Sequence, residues 1–262
     1  MKIRHIISTR FLAWDSKQER DDKYRIQLTK VLYNNFIKTI QNQTSNDYEC
    51  VIITNEQSIN YVSSLTFPIP VKIFTYDGLR DNIKQHMDEY DYIIHTNCDC
   101  DDFFHKDNLK LIKDAITPGT TFKMYGYIKG ATLVDGESEP HLFTPSYIGK
   151  DGFFSCCTSI IYSTKLQFNE EFPFLIHDVA KKYNGKHGKW KHIIEKEYKS
   201  WGLPSLDDDF FDYPNDNIVR FIWIRQPLSY TTIKLNKENK PLHYSNEIIK
   251  LKLKEDFGYE QY

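Results

Sequence analysis

Residues 92–109 read YIIHTNCDCDDFFHKDNL and place three carboxylates, Asp99, Asp101 and Asp102, within four positions at the end of an apolar run. Anions this close repel one another and are costly to desolvate unless something positive sits among them. Either the turn is fully solvated or it holds a cation. Carboxylate oxygens suit Mg2+ or Mn2+, and a cation held there could act as a Lewis acid on phosphate oxygens. A plainer reading makes the Asp residues caps of a helix starting near Phe103. That reading accounts for one of the three, not for all.

The flanking pattern says what must position these side chains. Residues 4–9, RHIIST, read as a buried strand. The run 24–43, YRIQLTKVLYNNFIKTIQNQ, spaces Leu28, Val31, Leu32, Phe36 and Ile40 as one apolar helical face. Residues 48–55 and 71–77 read as further strands, 79–90 as a short helix and 91–96 as a fourth strand. Such alternation predicts an α/β fold with a mainly parallel sheet flanked by helices. Ligands of these sheets bind beyond the carboxyl ends of the strands. The polar tips STR, TN, YDG and NCDCDD are therefore expected on one edge. Past Pro118–Gly119 the pattern turns β-richer, with strands in 121–134 and 156–164. Helices are expected near 172–183 and 190–202, a strand and loop over 217–235, and a charged helix over 246–256. One domain spanning 1–262 is expected, with halves 1–117 and 118–262.

Composition narrows the classes. The net charge of −2 and the lack of a basic tract argue against nucleic acid as a partner. No run approaches the roughly 18 apolar residues of a membrane span, and the N-terminus does not read as a signal peptide. The five Cys lack metal or disulfide spacing and read as reduced thiols, with Cys156 and Cys157 adjacent. Asn42 begins an NQT acceptor pattern, taken as chance in a chain expected to be cytoplasmic. Aromatic residues make up 15% of the chain, compatible with sugar-binding surfaces and equally with ordinary cores.

With these residues in view, GLRDNIKQHMDEYDYIIHTNCDCDDFF resembles the GT-A glycosyltransferases, in which a strand ends in an Asp-x-Asp element. More narrowly, HIISTRF, FIKTIQNQTSNDYECVIITNE and HTNCDCDDFFHKD resemble a family of rhamnosyltransferases with viral and bacterial members. The matching positions are His5, Thr9, Arg10, Phe11, Gln43, Thr44, Thr96, Asp99, Asp101 and Asp102. Asn97–Cys98 replaces the family's Arg-Leu pair, and the match is close over about the first 110 residues only.

The resemblance implies a metal-dependent transferase moving a sugar from a nucleoside-diphosphate donor to a glycan or glycoside hydroxyl, in the host cytoplasm if the source is viral. Asp99 would face the ribose, while Asp101 and Asp102 would hold Mn2+ or Mg2+. Thr9 and Arg10 would cradle the nucleotide, Arg80 would approach the base or a phosphate, and Arg225 would reach the diphosphate. SIIYSTKLQFNEEFPFLIHDVAKKY resembles the segment that supplies the base of inverting members, which points to Asp178 with His177 beside it. Asp207, Asp208 and Asp209 are the rival carboxylates, or a solvated acidic turn. The family's later His ligand has only His243 as a candidate. Two other classes remain in view: a degenerate domain that binds without turnover, and a haloacid-dehalogenase-type phosphatase. The second is disfavoured by a motif on about the fourth strand and by Phe104 where that class carries Thr or Val.

Overall fold

Ile6 and Ile7 are consecutive, fully buried, and point into different cores. This is the period-two alternation of a strand covered on both faces, and it organises the molecule. The computed structural model describes residues 1–14, 21–134, 137–143, 157–181, 190–214, 216–225 and 247–260. Strands β1 (Ile3–Arg10), β2 (Glu49–Ile53), β3 (Val71–Phe74) and β4 (Tyr92–Asp99) run parallel. β9 (Thr158–Ser163) lies antiparallel between β4 and β6 (Phe122–Tyr125), and β10 (Phe211–Asp212) closes the edge. The sheet order is β10-β6-β9-β4-β1-β2-β3, with β9 alone reversed.

Helices cover both faces, giving the mixed α/β architecture with a mainly parallel sheet. On one side Ile7, Ile52 and Ile94 meet Leu28, Val31, Leu32, Phe36 and Ile40. These last five come from α1 (Asp22–Leu32), a π-helical segment Tyr33–Ile37, and α2 (Lys38–Gln41). After α3 (Ile59–Ser63), the other face is covered by α4 (Tyr76–His86), α6 (Ile176–Lys181) and α7 (Trp190–Glu197). There Ile6, Val51, Ile53 and Ile93 pack with Leu79, Ile83, Ile176, Val179, Ile193 and Ile194.

A second sheet carries the order β5-β11-β7-β8, from β5 (Phe103–Phe104), β11 (Phe221–Arg225), β7 (Gly130–Val134) and β8 (His141–Phe143). Its own core joins Phe103, Leu133, Ile222 and Ile224 to Phe257 of α8 (Leu253–Phe257). A Cβ at Gly130 would lie 2.0 Å from Phe221 Cζ, and that ring is fully buried. Gly130→Ala is therefore expected to cost about 1–3 kcal/mol by overpacking. Denaturant titration of Gly130→Ala and of Gly130→Ala with Phe221→Leu checks this, since the smaller residue should restore most of the loss.

Several boundaries differ from those expected. Asn97, Cys98 and Asp99 belong to β4 rather than to a turn, because β1 continues to Arg10 and carries the ladder to the Arg10–Asp99 pair. No helix begins near Phe103. The two Phe residues pair with Phe221 and Ile222 of β11, and the helix waits until α5 (Asn108–Asp114). Tyr76 and Asp77 open α4 instead of ending β3, because the Thr75 hydroxyl caps that helix by accepting from the Gly78 amide at 3.1 Å. Of the helix expected over 246–256 only the part from Leu253 onward is helical; residues 247–252 are not, as Ile248 bridges to His141 and the Leu142 amide donates to the Glu247 carbonyl.

Candidate active site

The carboxyl ends of β1, β2, β3 and β4 lie along one edge of the large sheet, as parallel pairing requires. The 99–102 turn leaves this edge and leads directly into β5 of the second sheet. The three carboxylates thus sit at the junction of the two sheets. The Asp102 amide donates to the Asp99 carbonyl at 3.3 Å. From the π-helical segment, the Asn35 side-chain amide donates to the Asp101 carbonyl at 2.8 Å. A π-bulge re-aims side chains within a helix, and here it delivers Asn35 to the turn.

The three carboxylates have different surroundings. Asp99 pairs with Arg10 at 2.9 Å, both half-buried. Burial opposes the Arg10 cation, but the Asp99 carboxylate and the Tyr76 hydroxyl outweigh it and raise its ionisation above the ordinary arginine value. Asp101 is half-buried. Asp102 is fully buried, and neither carboxylate oxygen has a hydrogen-bond partner of normal geometry among the described residues. Burial, then the Asp101 and Asp99 charges, push its carboxyl well above the usual range, opposed by Arg225 and the Ile224 amide. Arg225 is itself buried, its guanidinium carbon 3.9 Å from the centroid of the Trp223 ring. Cys100, between the anions, has its thiol pushed well up by burial and by Asp101, so it stays protonated.

His177 and Asp178 lie in the first turn of α6, on the face of the sheet that α4 also covers. Asp178 Oδ1 accepts from Arg80 at 2.6 Å, and Oδ2 accepts from the Leu175 amide at 3.0 Å. Arg80 also donates to the exposed Asp77 at 2.6 Å. His177 is buried, with its ring 5.0 Å from that of Tyr76 and 5.8 Å from that of His95. His95 accepts the Ile176 amide at Nδ1, 3.0 Å away, and so caps the helix; its Nε2 meets the Ser8 hydroxyl at 2.9 Å. Burial lowers its ionisation to about 3, so it is neutral.

The structure thus brings Arg10, Asp99, Asp101 and Asp102 to one strand edge, with Arg225 facing Asp102, and joins Arg80 to Asp178. Thr9 is buried beside them, its hydroxyl without a partner among the described residues. Other residues of the resemblance hold the frame. His5 Nε2 meets the Thr96 hydroxyl at 2.9 Å. Gln43 donates to the His105 carbonyl at 3.2 Å, and the Thr44 hydroxyl donates to Asp107 at 3.0 Å. In the acidic run 207–209, Asp208 and Asp209 are exposed, as a solvated turn requires, while Asp207 is half-buried. Asp207 accepts from both the amide and the hydroxyl of Thr121, at 2.8 and 2.7 Å, and Asp209 pairs with the buried Lys123. Both carboxylates tie their loop to β6. His243 and the segment 226–235 lie outside the described residues. Tyr76, His95, Asn35 and Trp223 were missed in the sequence. Nothing in their local pattern marks them: Tyr76, His95 and Asn35 are selected by partners distant along the chain, and Trp223 matters through Arg225 two positions on.

Among the described residues, no three or more His, Cys, Asp or Glu side chains converge as a ready-made metal cage. Asp102, buried with no hydrogen bond of normal geometry among the described residues and next to the half-buried Asp101, still offers hard oxygen ligands. Sites of this kind hold Mg2+ through one or two carboxylates, with phosphate oxygens and water completing the shell. Among the described residues no helix is long and apolar enough to cross a membrane.

No family model matches the sequence, and no curated protein matches it. Solved structures are similar at low identity. S. aureus TarS 1–349 is 12% identical with a TM-score of 0.40, over 84% of this chain and 60% of that one. The chain therefore spans about three-fifths of the TarS fragment. Mouse xyloside xylosyltransferase 1 is 11% identical with a TM-score of 0.39, over 84% and 97% of the two chains. A cytidylyltransferase from Leptospira borgpetersenii is 13% identical with a TM-score of 0.38, over 82% and 77%.

Proposed function

We propose that the chain is a metal-dependent glycosyltransferase of the GT-A type. It would transfer a sugar, rhamnose by the resemblance, from a nucleoside diphosphate to a glycan or glycoside hydroxyl with inversion. The observation that carries this reading is Asp102: a fully buried carboxylate with no hydrogen bond of normal geometry among the described residues, at the strand edge where ligands of parallel sheets bind. Such a group is costly unless a cation completes it. The divalent cation, Mn2+ or Mg2+, supplies Lewis-acid neutralisation of the charge that develops on the leaving diphosphate.

The chain's own residues do the rest. Arg10 and Asp99 present a guanidinium and a carboxylate at the strand edge for the nucleotide, and Arg225 places a second guanidinium beside Asp102. Asp178 accepts the proton of the acceptor hydroxyl while that oxygen bonds to the anomeric carbon. The bond from that carbon to the phosphate oxygen breaks, and the diphosphate leaves with the electron pair. An ionised carboxylate has about four acceptor sites, so the contacts to Arg80 and Leu175 leave room for the proton.

One observation favours a second reading, a domain that binds without turnover: the lack of a three-ligand cage among the described residues. The test of the donor site is calorimetric titration with UDP, GDP, CDP and dTDP in Mn2+, Mg2+ or EDTA, on wild type and Asp101→Ala. One nucleotide is expected to bind only with metal, and Asp101→Ala to abolish that binding. Failure of all four with metal present overturns the proposal. Metal-dependent binding without transfer to any acceptor favours the second reading.

A further inference from the structure

Asp178 lies in the first turn of a helix of six residues, too short to hold its conformation in isolation. Leu175, the residue before that helix, has no side-chain acceptor for the open amides of the turn. Two other groups supply acceptors. Asp178 Oδ2 takes the Leu175 amide at 3.0 Å. His95 Nδ1, from β4, takes the Ile176 amide at 3.0 Å, two residues before Asp178. An acceptor at Nδ1 leaves the ring proton on Nε2. That nitrogen donates to the Ser8 hydroxyl of β1 at 2.9 Å, and the hydroxyl donates in turn to the Thr96 carbonyl at 3.4 Å. A line of hydrogen bonds thus runs from the neighbouring strands β1 and β4 to the turn that carries Asp178. The other carboxylate oxygen, Oδ1, meets Arg80 of α4 at 2.6 Å.

We propose that His95 is the positioning residue for Asp178: by holding the Ile176 amide it registers the first turn of α6 against β4, and so sets where the carboxylate points. This rests on the reading of Asp178 as the base and extends it to a residue outside the acidic motif. His95 cannot take the acceptor proton itself, since it is fully buried and both ring nitrogens are engaged. Its partner Ser8 is fully buried as well, so the line is shielded from water. A neutral ring suits the task, because a proton on Nδ1 would set a second donor against the Ile176 amide. A carboxylate displaced by a fraction of its hydrogen-bond length no longer meets the acceptor hydroxyl in line with the bond that breaks.

His95→Leu removes both nitrogens at similar bulk, whereas His95→Asn keeps an acceptor near the position of Nδ1. Transfer is assayed with UDP-, GDP-, CDP- and dTDP-sugars in Mn2+, with methyl and p-nitrophenyl glycosides as acceptors. His95→Leu is expected to lower kcat about 10²-fold while nucleoside diphosphate Kd stays within about threefold, and His95→Asn to recover most of the loss. In an Asp178→Asn background, His95→Leu should change kcat by less than about threefold, since it acts through that carboxylate. A histidine that only packs would lower Tm and leave kcat unmoved, or lower kcat equally in both backgrounds; either result overturns the proposal. Should His95→Leu fail to fold, Ser8→Ala, which frees the ring at Nε2, carries the same comparison. If wild type transfers nothing, or Asp178→Asn transfers undiminished, the reading of the base fails, and urea denaturation still decides the positioning. His95→Leu and Asp178→Asn are expected to be non-additive in stability, and additivity overturns the link between them.

Discussion

Asp102→Asn is expected to abolish metal-dependent nucleotide binding and, at the same time, to make the ligand-free protein more stable. The two effects have one cause. In the free protein the carboxylate is fully buried beside Asp99 and Asp101, with no hydrogen bond of normal geometry among the described residues. Leaving such a group unsatisfied costs about 1–3 kcal/mol, and an isosteric amide relieves the charged part of that cost. For a chain this long each kcal/mol corresponds to roughly 2–4 °C in Tm.

The pH dependence gives the sign. Burial and the neighbouring anions raise the folded-state ionisation of Asp102 above its unfolded value. From the unfolded value of about 3.9 upward, the folded state therefore holds a proton that the unfolded state has released. Wild-type stability is fully present below that point and falls as pH rises toward the folded-state value. The advantage of Asp102→Asn should accordingly grow as pH rises through that window, and Mn2+ should raise the Tm of wild type alone. Thermal melts across pH, with and without Mn2+, check this. A pH-independent difference, or an Asn variant that still binds metal and nucleotide, would remove the cation from Asp102.

Asp178→Asn is the second large effect. General-base catalysis by one positioned group contributes about 10²–10⁴-fold, and an amide cannot take the proton. Transfer should fall by that factor while nucleoside diphosphate affinity stays within about threefold, because the side-chain hydrogen bonds of Asp178 among the described residues are to Arg80 and the Leu175 amide and not to the residues proposed for the diphosphate. The assay pairs sugar conjugates of whichever nucleotide binds with methyl and p-nitrophenyl glycosides as acceptors. Undiminished transfer would return the base to another group. Asp207 and Asp209 are poor substitutes, since Thr121 and Lys123 already hold them.

The clustering of carboxylates at the 99–102 turn was legible because it is local. Three carboxylates and the apolar run before them are adjacent in sequence, and strand and helix periods over the first hundred residues require only neighbours. The helical face of Leu28, Val31, Leu32, Phe36 and Ile40 and the shared edge of β1 to β4 follow from those short patterns. Resemblance added roles for Arg10, Arg80, Asp178 and Arg225, but not their partners. That Arg80 reaches Asp178, 98 positions away, depends on how α6 docks against α4.

Long-range pairing decided the remainder. Phe103 and Phe104 have no local reason to be a strand; β11, more than a hundred residues later, makes them one and carries Asp102 into the interior. The same closure sets Arg225 opposite that carboxylate. Residues 246–256 have helical composition, yet Ile248 is drawn into a bridge with His141, whose backbone groups offer a partner that an isolated short helix lacks. Hydrophobic period and charge are properties of a segment and can be read from it. Burial, ion-pair choice and hydrogen-bond satisfaction belong to pairs of segments, and only the tertiary structure says which pairs meet.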